Sequence, residues 1–68
     1  MSEHAMKVFF RWLENAHTTD AEILARRPRL LAVIERGSEE DAVAARRFLR
    51  ALDAELQARA DLARFLGS

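Results

Sequence analysis

The chain contains no cysteine. Disulfide bonds and thiolate metal sites are therefore excluded, and with them the cross-linked scaffold on which many small secreted domains depend. Tyrosine is absent too, valine and isoleucine are few, and no stretch alternates apolar and polar residues for long, so strands are not expected. Two glycines leave no glycine-rich loop to cradle a phosphate. Lys7 and Arg11 interrupt the one apolar stretch near the N-terminus, so no signal-peptide core forms, and no run approaches the roughly 20 apolar residues of a membrane span. The expected location is cytoplasmic, with no membrane partner.

A charge excess of either sign is also missing. Eleven Lys and Arg balance eleven Asp and Glu. Residues 1–34 carry five basic and four acidic side chains and residues 35–68 carry six and seven, so the halves do not separate by charge either. A nucleic-acid binder ordinarily shows a net basic field, because phosphate contacts dominate its affinity. Catalysis has little to work with. Ser2 and Ser68 are terminal, Ser38 reads as a helix cap, and no nucleophile, base and orienting group can be assembled. An enzyme is not expected, nor a cofactor or a small-molecule substrate.

What is present is helix-forming. Ala, Leu, Glu and Arg dominate, with thirteen alanines and ten of the eleven basic residues arginine, a bias of GC-rich bacterial coding. Half the residues are hydrophobic and a third charged, the balance of a folded domain. The spacing and the cap signals predict one domain, residues 1–68, with three helices over about 3–16, 20–36 and 39–66. His17-Thr18 closes the first. Thr19-x-x-Glu22 fits the capping box that opens the second. Gly37 ends it as a residue tolerant of left-handed backbone. Ser38-x-x-Asp41 opens the third, with Glu39, Glu40 and Asp41 in the first turn where the helix dipole favours anions. Gly67 stops it. Pro28 lies within the second helix, where it deletes a hydrogen bond and crowds the preceding turn; a kink or a break is expected there. The fold class is all-α: a three-helix antiparallel arrangement with a long C-terminal helix.

The first helix is crowded with apolar side chains. At 100° per residue, Val8, Trp12, Ala5, Ala16, Phe9, Leu13, Met6 and Phe10 cover an arc of roughly 200°, about twice what docking on one neighbour needs. Either this helix wedges between the other two, or one flank meets a partner. The third helix shows a seam in steps of four and three: Ala45, Leu49, Leu52, Leu56, Arg59, Ala63 and Leu66, which Arg59 interrupts. Paired back from the Gly37-Ser38 turn, the second helix reaches along the third only to about residue 56. Leu62, Phe65 and Leu66 are then left uncovered, and each forgoes about 1.5–3 kcal/mol of burial. A 68-residue chain without cysteine has oligomerisation as its remaining aid. A homodimer is expected, since cyclic dimers are the commonest closed assembly.

Function then reads as a small non-enzymatic protein–protein interaction module, a regulator, adaptor or inhibitor, with Phe10, Trp12, Leu62 and Phe65 as interface candidates. Six arginines, Arg26, Arg27, Arg29, Arg46, Arg47 and Arg50, could hold an anion, and a nucleic-acid-binding regulator is the alternative. A helix-turn-helix does not fit, because Glu39, Glu40 and Asp41 would meet the phosphates. Glu14-x-x-His17 has the Glu-x-x-His spacing of di-iron bundles, but only Glu55 offers a further inward ligand, and His17 is better read as a cation at a helix C-terminus. No family motif is legible; the cap, turn and heptad signals are general to helices.

Overall fold

The computed structural model describes residues 3–67. Three helices follow one another: α1 (Glu3–Glu14), α2 (Asp20–Arg36) and α3 (Glu39–Gly67). The 29 residues of α3 rise about 44 Å at 1.5 Å each, and the whole molecule measures 45 × 23 × 15 Å, so α3 sets its length. α2 folds back along α3 as a hairpin. α1 then lies beside α3 and runs in the same direction as it: Met6 sits near Val43 and Ala44, while the Leu13 carbonyl accepts from Arg59.

The caps behave as their chemistry requires. Thr19 accepts from the Glu22 N–H and the Glu22 carboxylate accepts from the Thr19 N–H, which completes the box. Ser38 Oγ accepts from the Asp41 N–H at 3.2 Å. Gly37 differs from its expected role. Its backbone is extended (φ −77°, ψ 173°), not left-handed, and its N–H donates to the Val33 carbonyl at 2.8 Å. Glycine is needed there for space: a Cβ would lie 2.6 Å from the Val33 oxygen. Gly67 likewise takes no left-handed turn but continues the helix, with open space around it.

α2 is unbroken through Pro28. Pro28 and Leu24 both face outward, so the Leu24 carbonyl, which loses its usual donor, lies on the side of the helix open to water. α1 ends at Glu14, short of the expected residue 16, because the next side chains turn the chain. The Trp12 carbonyl accepts from both the Asn15 N–H and the Thr18 hydroxyl, and Asn15 Oδ1 accepts from the His17 N–H. His17 therefore stands in the turn, beyond the helix terminus it was expected to close.

The core is Leu13, Ile23, Leu30, Ala45, Phe48 and Leu52, with Phe9, Phe10, Trp12 and others packed on it half-buried. Phe48 answers for the crowded aromatics. It stacks on Phe9 with ring centres 4.3 Å apart and meets Phe10 edge-on at 6.2 Å. The wide apolar arc of α1 is thus used mostly within the chain, α1 lying on α3 with its flanks half-covered and Val8 left exposed.

Arg59 does not merely interrupt the seam of α3; it ends the packed body. Its guanidinium donates to the Thr18, Leu13 and Asn15 carbonyls and to Asp20 Oδ1, and its Nε lies 3.5 Å from Glu55. A helix leaves its last four carbonyls without partners and carries negative charge there. Arg59 supplies donors and charge to the end of α1 and to the turn after it. Beyond Arg59 every described residue of α3 is exposed.

Candidate functional site

Three surfaces follow from this arrangement. The first is the projecting end of α3. Residues 60–67 extend past the α1–α2 turn and are all exposed, Leu62, Phe65 and Leu66 by 57, 78 and 72%. Monomeric surfaces scatter single apolar residues; three on two adjacent turns form a patch. Of the four interface candidates, Leu62 and Phe65 lie here. Phe10 and Trp12 do not: they belong to α1, half-buried against the core.

The second surface is a groove of about 570 Å³ between α1 and α2, walled by Val8, Phe9, Trp12 and Leu30 and floored by Phe48, with His4, Ala5 and Arg26 on its margin. Arg26 lies over the Trp12 ring, 4.6 Å from its centre, a cation–π contact. Trp12 thus joins the groove rather than the α3 patch. His4 and Val8 were not among the sequence candidates. The signal for Val8 was the excess width of the apolar arc, which does not say which flank stays open; His4 carried none beyond its place one turn before Val8.

The arginines form the third, and the fold divides them. Successive helical residues step 100° around the axis, so neighbours in sequence point apart. Arg26 and Arg29 lie at the α1–α2 edge near Trp12. Arg27 turns to α3 and grips Asp53 with both ends of its fork, Nε to Oδ1 at 3.1 Å and Nη2 to Oδ2 at 3.3 Å. This hydrogen bond, and then the charge of Asp53, raise the Arg27 pKa above its ordinary value. Arg47 stands at the α1–α3 edge beside Met6 and Glu40. Arg29, Arg46, Arg47 and Arg50 make no ion pair among the described residues. Six arginines therefore do not converge on one anion.

Glu14 and His17 are both exposed, and Glu55 is turned to Arg59, so the three are not gathered about a point. Among the described residues no three of His, Asp and Glu are placed to hold a metal ion, and no helix is long and apolar enough to cross a membrane. Compared with protein-family models, curated proteins and solved structures, the chain finds no match.

Proposed function

We propose that this chain is a small non-enzymatic protein–protein interaction module, of the regulator, adaptor or inhibitor kind, that works from the cytoplasm through a helical surface and associates with a second copy of itself. The observation that carries the reading is the projecting end of α3, where Leu62, Phe65 and Leu66 stand in water at 57–78% exposure. Leaving such side chains exposed costs a small domain stability it can ill spare, unless a partner covers them. Anchors of this type, leucine and phenylalanine on one helix end, suit insertion into a partner's groove.

The test is capture from the host lysate on immobilised chain, run beside a Leu62→Asp, Leu66→Asp double variant. Both positions are exposed, so the fold should survive the change. The expected result is a stoichiometric partner retained by the parent chain and lost by the variant. Identical captured sets would remove the α3 end as the surface through which a host protein is held.

The alternative is a small nucleic-acid-binding regulator using the arginine patch, of which Arg29, Arg46, Arg47 and Arg50 are the members with neither an ion pair nor a ring contact among the described residues. Against it stand the commitment of Arg26 to Trp12 and of Arg27 to Asp53, and a net charge of zero. Salt-dependent binding to a random duplex would promote this reading, and no binding at low salt would end it.

A further inference from the structure

We infer that the partner of the α3 end is the α1–α2 groove of a second copy, each chain giving its projecting helix to the other, so that the dimer closes on a two-fold axis. This rests on the self-association in the reading above and names its geometry.

The register follows from helix arithmetic. Leu62 and Leu66 lie fourteen residues after Phe48 and Leu52. Fourteen residues fall about 40° short of four full turns, so the exposed pair continues the same face of α3 that α1 and α2 cover higher up. A two-fold axis passing beside α3 at the level of residue 57 sets residue 62 of one copy level with residue 52 of the other, and residue 66 level with residue 48. Phe48 floors the groove. The projecting leucines thus arrive at the level of the open groove with their apolar face turned toward it.

Area argues for this occupant over a simple pairing of the two helix ends. A stable interface engages about 20–30 residues on each side. The projecting end has only eight, residues 60–67. With the groove's eight lining residues added, each copy contributes sixteen before any rim is counted. Charge is compatible as well. The chain has no net charge, so copies do not repel. The incoming α3 runs antiparallel to α1, which brings its negative C-terminal end toward the positive N-terminal end of α1.

The absence of cysteine makes the arrangement directly testable. Chains carrying Val8→Cys are mixed with differently tagged chains carrying Leu62→Cys or Leu66→Cys and oxidised mildly. Disulfides between the two kinds of chain should dominate. Disulfides between two Leu62→Cys or two Leu66→Cys chains would show the helix ends packed side by side, which overturns the groove while leaving self-association intact. Sedimentation supplies the second measurement. The unsubstituted chain should be a dimer, and Leu62→Asp should weaken it roughly tenfold or more with unchanged helicity, the loss expected from one buried leucine. A monomer at every concentration would overturn the inference, while the interaction module itself would still stand or fall by the capture experiment.

Discussion

Arg59 offers the sharpest test of the fold. Its side chain is 21% exposed and meets three backbone carbonyls, Leu13, Asn15 and Thr18, besides Asp20 and Glu55. Replacing it with methionine keeps most of the apolar stem and removes every donor. A cation at a helix C-terminus contributes about 0.3–1 kcal/mol, rising to about 2 kcal/mol when partly buried. A hydrogen bond to a charged group adds about 1.5–3 kcal/mol when its loss strands a buried acceptor. Here the freed carbonyls of Asn15 and Thr18 can turn to water at the open side of the turn, whereas Leu13 is 2% exposed and has less access. The sum is about 2.5 kcal/mol for Arg59→Met. In a domain of this size that lowers the midpoint of thermal unfolding by about 10–20 °C. Arg59→Lys should fall between the two, since it keeps the charge and loses the planar fork that reaches several carbonyls at once. Circular dichroism melts on the three proteins would measure this. A loss under about 0.5 kcal/mol for Arg59→Met, the size of an ordinary surface ion pair, would refute the claim that Arg59 pins α1 to α3.

Two further substitutions probe the turn between α2 and α3. Gly37→Ala should destabilise by about 1–3 kcal/mol, because the new Cβ meets a backbone oxygen that cannot move without distorting the last turn of α2; an unchanged urea midpoint would show that the helix end yields freely. Ser38→Ala should cost about 1 kcal/mol through loss of the cap on the Asp41 N–H, and faster amide exchange confined to the first turn of α3 would locate the effect; no change in either would mean that α3 starts elsewhere.

Much of this molecule follows from local rules. The three helices, the capping box at Thr19 and the cap at Ser38 are legible because each depends on residues within one turn of each other. The exposed end of α3 is legible for a related reason: chain lengths and a 1.5 Å rise fix how far α2 can reach. Other features depended on atoms brought together from far apart. Phe48 lies outside the seam that the four-and-three spacing marks, yet it is buried, because α1 approaches α3 from that side. Arg59 stands on the seam as an apparent fault. Its meaning comes from carbonyls more than forty positions earlier, which no spacing along α3 reveals. A lone arginine where a packed stripe gives out was the one available sign.

The sequence by itself determined that this chain is helical, where α2 and α3 begin, and that its apolar surface exceeds what three short faces can hide. Those are consequences of periodicity and of nearby hydrogen-bonding groups. Only the tertiary structure decided which flank of α1 stays open, that the arginines diverge, and that Gly37 serves by its lack of bulk rather than by its backbone freedom. Each of those depends on the angle at which one helix meets another, and that angle is set by the packing of side chains from all three at once.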